Sequence, residues 1–145
     1  MIGFVFFIAL YWIINRDGSA AKKKKEEDGA DPKKTFFTRE RLRSEFDGTG
    51  PTGKVYLACN DTVFDVTESP HYTKGGSYEA FAGRDISMAC AHHSTEEKWL
   101  GVDYDPENAR LTVDQEQNIL MFYMNFCQKY KILGKLTPID AKKAN

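Results

Sequence analysis

The first fourteen residues form an uninterrupted apolar run without one charged side chain, and this run constrains how the rest of the chain can be organised. As a helix it would extend about 21 Å, at about 1.5 Å per residue, against about 30 Å of bilayer hydrocarbon. Tyr11 and Trp12 lie near its end, and Arg16 and four consecutive lysines follow, a pattern typical of a membrane interface facing the cytosol. We predict that residues 1–15 are a retained, single-pass transmembrane anchor, with a cleaved signal peptide and a core helix as alternatives.

The segment after the apolar run contains almost nothing that a core could bury. Residues 16–34 are rich in lysine, aspartate and glutamate and are interrupted by Gly18, Gly29 and Pro32. This composition predicts a solvated, charged linker. One domain is then expected over residues 35–136, followed by a tail at 137–145.

Charge and cysteine content exclude several classes of protein. The 20 basic and 21 acidic side chains give a formal net charge of −1, whereas nucleic-acid binders normally carry a basic excess. Cys59, Cys90 and Cys127 are odd in number and widely spaced, so neither a disulfide framework nor a thiolate zinc site is expected. The sequence has no nucleophile–base constellation and no phosphate loop, so we do not expect an enzyme.

The first half of the domain has strand signals behind one short helix. Thr38 is a candidate N-cap for a helix over Arg39–Glu45. Apolar residues then alternate along Lys54–Cys59, and Asn60-Asp61 leads into a second apolar stretch, Thr62–Val66. The sequence therefore predicts a β-hairpin.

The second half has helical signals. We predict a short helix over Tyr78–Ala82, capped by Ser77, and two more over Ile86–Ala91 and Thr95–Leu100.

The clearest helix begins at Thr112, where Gln115 completes a capping box. It is predicted to run to about Lys131 and to end at Gly134. One apolar face is indicated by recurring residues, namely Val113, Leu120, Tyr123, Cys127 and Tyr130. The fold class is therefore α+β, with a small sheet and short helices in pairs.

These elements carry strings of residues that resemble the membrane-associated progesterone receptor family, a branch of the cytochrome b5-like haem/steroid-binding domains. The resemblance covers roughly residues 36–136. The strings are Val63-Phe64-Asp65-Val66-Thr67, Phe81-Ala82-Gly83-Arg84-Asp85, Lys129-Tyr130 and Gly134-Lys135-Leu136, together with Tyr72 and Tyr78.

The resemblance implies a haem pocket between short helices, with iron bound by a tyrosine. Tyr78 falls on the iron-ligating position and Tyr72 on a second pocket tyrosine. Lys129 and Tyr130 fall on a pair that closes the other side.

A tyrosine that binds haem iron must do so as a phenolate, although the reference pKa of tyrosine is about 10. Iron stabilises the anion, and a helix capped by Ser77 would add a favourable dipole at Tyr78. The Tyr72 hydroxyl and the Lys129 ammonium could donate to the phenolate or to haem propionates. A hard anionic ligand favours ferric iron, which suits a binding module better than a fast electron carrier.

Two features of the sequence leave alternatives open. The loop from Tyr72 to Tyr78 has the length usual in the family but lacks both of its prolines. His71 lies as far before Ala82 as a ligand histidine does in cytochrome b5, so His71 and His93 are an alternative pair of iron ligands.

Two functions follow. The first is a membrane-anchored, haem-binding module that acts on membrane protein partners, either oxygenases or a multi-subunit complex. The second is a haem-free accessory subunit of a large membrane assembly, such as a mitochondrial respiratory complex. We expect the membrane of the endoplasmic reticulum or the mitochondrial inner membrane. Steroid binding is implied only by the family's name.

Overall fold

The computed structural model describes residues 31–139, which build a four-stranded sheet with helices packed against it. The spatial order of the strands is β1-β4-β3-β2. β1 runs parallel to β4, and the other neighbouring pairs are antiparallel. The strands are β1 (Phe36–Phe37), β2 (Tyr56–Cys59), β3 (Thr62–Asp65) and β4 (Lys131–Leu136).

Four α-helices and two short 3-10 helices complete these residues. The α-helices are α1 (Arg39–Glu45), α2 (Ser87–Ala91), α3 (Glu97–Leu100) and α4 (Val113–Lys129), and the 3-10 helices are Pro32–Lys34 and Glu79–Phe81. The predicted anchor at residues 1–15 lies outside the described residues, as do most of the linker and of the tail. Within residues 31–139, no helix combines the length and the apolar character needed to cross a bilayer. The predicted α+β architecture of a sheet with short helices is confirmed.

The local signals read from the sequence account for the caps and the hairpin. The Thr38 hydroxyl accepts the N–H of Arg41 at 3.0 Å and caps α1. Both hydrogen bonds of the Thr112 and Gln115 capping box are present at the start of α4. Asn60 and Asp61 adopt positive φ angles of 54° and 63°, as a two-residue hairpin turn of the kind that matches the twist of its strands requires.

The prediction for the end of the long helix was wrong. α4 ends at Lys129, Tyr130 is already extended, and the residues up to Leu136 form β4. Gly134 is not a helix cap but a residue of β4, where a Cβ would collide with the backbone carbonyl of Thr35. This close approach joins the start of the domain to its last strand, and Lys135 N–H donates to the same carbonyl at 3.0 Å.

The buried face of α4 agrees with the prediction only in part. Val113 and Leu120 are exposed at 68% and 48%, whereas Ile119, Phe122 and Phe126 are buried. The helix packs against α2, and the Asn118 amide donates to the carbonyl of Ala91 at 3.2 Å. The predicted Tyr123, Cys127 and Tyr130 do pack in or against the larger core, so the prediction was wrong only for Val113 and Leu120.

The alternation along the hairpin gives the sheet a core on each side. Leu57, Cys59 and Phe64 face the larger core, which also includes the buried face of α4. Ala58 and Val63 face a smaller core, whose other members are Phe37, Leu42, Phe46 and Leu136. The predicted haem-site tyrosines all lie in the larger core.

Candidate haem site

Tyr72 lies at the centre of the candidate site. Its side chain is fully buried, and its ring is stacked on Phe81 with the centroids 6.3 Å apart. It meets Tyr130 edge-on, also at 6.3 Å. The Tyr72 hydroxyl has no hydrogen-bond partner among residues 31–139. Burial raises the pKa of this phenol well above its usual range, and nearby Tyr130 adds to the effect.

Tyr78 is held close to Tyr72 by a backbone hydrogen bond across the intervening loop. Its N–H donates to the carbonyl of His71 at 2.8 Å, and its ring lies 5.7 Å from that of Phe81. Phe81 therefore touches both predicted pocket tyrosines. Burial raises the pKa of Tyr78.

The short helix predicted over Tyr78–Ala82 is present as a 3-10 helix over Glu79–Phe81, but its predicted cap at Ser77 was wrong. Tyr78 itself is the cap residue of the 3-10 helix Glu79–Phe81, without a side-chain capping bond. A 3-10 helix of this length has little macrodipole, since the dipole grows by summing aligned peptide units. The dipole expected to lower the pKa of Tyr78 therefore makes no substantial contribution.

Lys129 and Tyr130 lie at the end of α4, and the Tyr130 ring contacts Tyr72. Both are buried, and the Tyr130 ring lies 5.7 Å from that of Phe126, one turn earlier on the helix. A buried ammonium is a costly group that is retained next to anions or strong acceptors. Phe126 also lies 6.4 Å from Tyr72, so the end of α4 closes over the loop tyrosines.

The structure thus brings the three predicted tyrosines together with two phenylalanines that the sequence analysis missed. We call the aromatic members the tyrosine cluster, which consists of Tyr72, Tyr78, Phe81, Phe126 and Tyr130. Spacing contained a signal for the missed members, because Phe81 follows Tyr78 by three residues and Phe126 precedes Tyr130 by four.

The two candidate histidine ligands lie in different settings. His71 is half-buried and meets the Tyr72 ring edge-on, with the centroids 6.3 Å apart. His93 lies in the turn after α2 with a positive φ of 48°. Neighbouring His92 is stacked on Trp99 at 3.6 Å, and burial lowers its pKa. Within residues 31–139, no three His, Cys, Asp or Glu side chains are arranged to hold a metal ion.

The residues present fit a haem group. Aromatic rings supply a flat apolar lining, phenols and an ammonium supply donors, and Tyr78 supplies an oxygen that can bind iron. The Tyr72 hydroxyl is the most specific sign of a ligand, since buried polar atoms nearly always have a partner.

The string Gly83-Arg84-Asp85 contributes to the fold next to the tyrosine cluster. Gly83 has a positive φ of 73° and ends the turn after the 3-10 helix Glu79–Phe81. The Asp85 carboxylate accepts from Ser87 at 2.7 Å, and it accepts from the Arg39 guanidinium at 3.3 Å. Burial nevertheless raises the pKa of Asp85, because it outweighs these bonds.

Arg39 joins several distant segments of the chain. Its guanidinium forms ion pairs with Asp103 at 3.3 Å and with Asp61 at 3.8 Å, and it donates to the carbonyls of Tyr104 and Thr137. We call this guanidinium and its three carboxylates, Asp61, Asp85 and Asp103, the Arg39 network. Burial, followed by repulsion from Asp85, raises the pKa of Asp61.

The comparisons with known proteins all point to the same family. Residues 38–136 match the family described as "Cytochrome b5-like Heme/Steroid binding domain". The chain is 37% identical over 105 residues to membrane-associated progesterone receptor component 2 of Rattus norvegicus, covering 72% of this chain and 47% of the relative. The chain thus spans about half the length of that relative.

Two further known proteins are similar to this chain over most of their own length. The chain is 30% identical over 149 residues to Cytochrome P450 regulator dap1 of Schizosaccharomyces pombe, covering 97% of this chain and 88% of the relative. A solved structure from Arabidopsis thaliana with a cytochrome b5 like fold superposes with a TM-score of 0.62 at 26% identity. It covers 78% of this chain and 99% of that one.

Proposed function

Because the chain belongs to the cytochrome b5-like haem/steroid-binding domain family, we propose that it is a non-catalytic haem-binding module, anchored in a membrane and acting on membrane proteins. The observation that carries this proposal is the buried Tyr72 hydroxyl, which has no hydrogen-bond partner among the described residues. A hydroxyl in that position costs about 1–3 kcal/mol unless a ligand group meets it.

Each member of the site has a role in this proposal. Tyr78 holds the iron through its phenolate oxygen, and the Tyr72 hydroxyl donates to that oxygen or to a propionate. Lys129 and Tyr130 hold the propionates from the end of α4. When bound, haem supplies a ferric centre and a flat conjugated ring, which stacks on aromatic side chains.

Burial of Tyr78 has a consequence for the oxidation state of the haem iron that the site prefers. Because burial raises its pKa, the free side chain is a neutral phenol at physiological pH. The phenolate forms only when a strong positive charge lies beside it, and ferric iron provides more charge than ferrous iron. The site therefore favours ferric haem, and binding releases the phenol proton to solvent.

The partner class is inferred from a relative. The fission yeast protein is named as a regulator of cytochrome P450, and it matches this chain over nearly its whole length. We therefore infer that membrane oxygenases are the partners and that regulation proceeds by binding. No catalytic step is assigned to this chain.

The apolar run and the charged linker support a location at a membrane. In this proposal residues 1–15 cross the membrane of the endoplasmic reticulum or of mitochondria, and residues 16–34 are a spacer. Removal of residues 1–30 should abolish co-sedimentation with membranes and leave the circular dichroism of the domain intact. The cut is set at residue 30 because Pro32–Lys34 pack against β4.

One observation favours the second candidate, a haem-free accessory subunit. The whole tyrosine cluster is buried, with Tyr72 at 0% and Tyr78 at 5% exposure, so haem reaches the iron ligand only if the Tyr72–Tyr78 loop or α4 moves. A haem-free protein would keep this closed arrangement as part of its core.

Titration of the full chain with haemin separates the two functions. The haem-binding module should saturate at one haemin per chain, with an absorption spectrum of the ferric, tyrosine-ligated type. Tyr104→Phe is the matched control for Tyr78→Phe. Tyr104 is a buried tyrosine of the same core, but it contacts the Arg39 network. Failure of the wild-type chain to saturate would favour the accessory subunit.

A further inference from the structure

All three cysteines of the chain lie in or against the larger core, although they are widely spaced in sequence. Cys59 ends β2 and Cys90 lies in α2, and both are fully buried free thiols. Cys127 on α4 is a half-buried free thiol that packs against the same core. The wide spacing argued against a disulfide framework, but the fold brings these thiols into one region.

Two of these thiols are in direct contact. The side chains of Cys59 and Cys90 are joined by a hydrogen bond. A disulfide forms only between cysteines whose Cα atoms lie within about 7 Å and whose side chains point toward each other. Because thiols that share a hydrogen bond already face each other, rotation about the two side-chain bonds is the movement that a disulfide requires here.

The backbone fixes this contact, because the residues on either side of Cys59 bond to the segment that begins α2. The N–H of Ile86 donates to the carbonyl of Ala58 at 2.8 Å. The N–H of Asn60 donates to the hydroxyl of Ser87, also at 2.8 Å. Cysteine has a short side chain, so the positions of β2 and α2 decide whether the two sulfur atoms touch. The contact is therefore a property of the fold.

We propose that Cys59 and Cys90 form a reversible disulfide, which closes a covalent loop around Tyr72 and Tyr78, and that the oxidant is a peroxide. The first thiolate attacks a peroxide oxygen, so that an S–O bond forms, the O–O bond breaks and one hydroxide leaves. The second sulfur then attacks the resulting sulfenic acid, so that the S–S bond forms and the S–O bond breaks. The second hydroxide leaves as water with a thiol proton, and two electrons have passed from the thiols to hydrogen peroxide.

The setting of the pair determines how it responds to oxidants. In a reducing compartment such as the cytosol, which the domain is predicted to face, disulfides are transient and regulatory. Burial, followed by the hydrogen bond with Cys90, raises the pKa of Cys59 well above its usual range. Because the thiolate is the reactive form, the pair reacts slowly and responds to sustained oxidation.

The disulfide also affects haem entry, and this consequence rests on the proposed function. Burial is the largest cause of the raised pKa of Tyr72, and both thiols of the pair add to it, so they lie near the site. Haem reaches Tyr78 only if the Tyr72–Tyr78 loop or α4 moves. A cross-link between Cys59 and Cys90 joins the two ends of the segment that contains this loop and lowers the entropy of its open states. Oxidation should therefore slow haemin binding.

Peptide mapping of the full chain in detergent micelles tests the disulfide. The reduced protein is exposed to hydrogen peroxide without denaturant, the peroxide is removed with catalase, and the chain is then unfolded in an alkylating agent and cleaved with trypsin. The three cysteines fall in separate peptides, 55–74, 85–98 and 111–129. The expected product joins peptides 55–74 and 85–98, with the mass of both less that of two hydrogen atoms, and dithiothreitol should separate them.

Cys127→Ser is the matched control, because it removes the half-buried thiol and keeps the pair. It should give the same linked peptides and, once oxidised, should unfold at a higher denaturant concentration than its reduced form. Its haemin binding in stopped-flow mixing should slow about threefold or more on oxidation. Peroxide should change neither quantity in Cys90→Ala/Cys127→Ser. Circular dichroism confirms that each variant is folded, and the map of the wild type needs no substitution.

Three results would overturn the proposal. Recovery of Cys59 and Cys90 as alkylated thiols after peroxide treatment would show that the pair does not form a disulfide. A link from either of them to Cys127 would assign the chemistry to another pair. A linked chain that binds haemin as fast as the reduced chain would refute the effect on haem entry. Failure of the reduced chain to bind haemin would contradict the proposed function, while the peptide map would still decide the disulfide.

Discussion

The tyrosine cluster and the Arg39 network both bury polar groups, but they satisfy them to different degrees. The Arg39 guanidinium lies within 3.3–3.8 Å of three carboxylates and also donates to two backbone carbonyls. The Tyr72 hydroxyl is more deeply buried and has no hydrogen-bond partner within the described part of the chain. In the Arg39 network only the buried Nε lacks a hydrogen bond, and it still lies 3.3 Å from the Asp103 carboxylate, whereas the Tyr72 hydroxyl has no hydrogen-bond partner among the described residues.

This difference separates a role in folding from a role in binding. A charge network that brings together residues 39, 61, 85 and 103 holds the start of the domain against its distant loops. A buried hydroxyl without a partner stabilises nothing in the free protein and costs free energy until a ligand meets it. Substitution in the two regions should therefore have opposite effects on stability and on haem binding.

The largest effect is expected from Arg39→Ala. The substitution leaves the buried Asp85 carboxylate without its cation, a change that costs about 3–5 kcal/mol when a buried pair is broken. Chemical denaturation of the full chain should show this loss. Arg41→Ala, which removes a surface pair with Glu45, should cost less than about 1 kcal/mol.

If Arg39→Ala does not fold, Arg39→Lys serves instead, because it keeps the charge but loses the forked geometry. Its unfolding midpoint should fall while the haem spectrum of the folded fraction stays unchanged. A shift in that spectrum without loss of stability would place the Arg39 network in the binding site.

A smaller effect of opposite sign is expected from Tyr72→Phe. Removal of a buried hydroxyl that lacks a partner should leave the haem-free chain equally stable or more stable, by about 1 kcal/mol. Haemin affinity should fall in the same variant. A loss of stability similar to that of a core cavity, about 2 kcal/mol or more, would show that the hydroxyl has a partner in the fold.

The smallest effect concerns the pH dependence of the Arg39 network. The pKa values of Asp61 and Asp85 are raised in the folded state, so folding is favoured when these groups are protonated. Their contribution to stability is present below about pH 3.8 and is lost as the pH rises through the raised values.

Asp61→Asn should therefore flatten the stability profile above about pH 4. At neutral pH it should change stability by less than about 0.5 kcal/mol, since Asp61 is partly exposed and screened. A steep loss of stability in this variant at neutral pH would mean that the ion pair with Arg39 outweighs burial and repulsion.

The predictable parts of the fold are those with signals within a few residues. The caps at Thr38 and Thr112 and the turn at Asn60-Asp61 are specified by local hydrogen bonds and local φ angles. β4 was missed because its residues continue an apolar helix without a break. Its strand pairing depends on Thr35 and on the hairpin, which are distant in sequence.

The candidate site was predictable in its residues but not in its geometry. The family resemblance predicted Tyr72, Tyr78, Lys129 and Tyr130 as site residues, and the structure brings the three tyrosines together. The Ser77 cap failed because the loop closes through a backbone bond from Tyr78 to His71, which no side-chain pattern records. The Arg39 network could not be predicted from the sequence for a related reason. Its members are distant in sequence, and only the tertiary fold brings them together.

The haemin titration of Tyr78→Phe in the full chain, measured beside Tyr104→Phe, tests the central claim most directly. The account predicts that Tyr78→Phe loses the ferric, tyrosine-ligated spectrum and at least about tenfold in affinity, whereas its unfolding midpoint stays near that of the wild type. Tyr104→Phe should keep the wild-type spectrum. A Tyr78→Phe chain that binds haemin with the wild-type spectrum and affinity would contradict the assignment, and low-spin bis-histidine bands in the wild type would transfer the iron to His71 and His93.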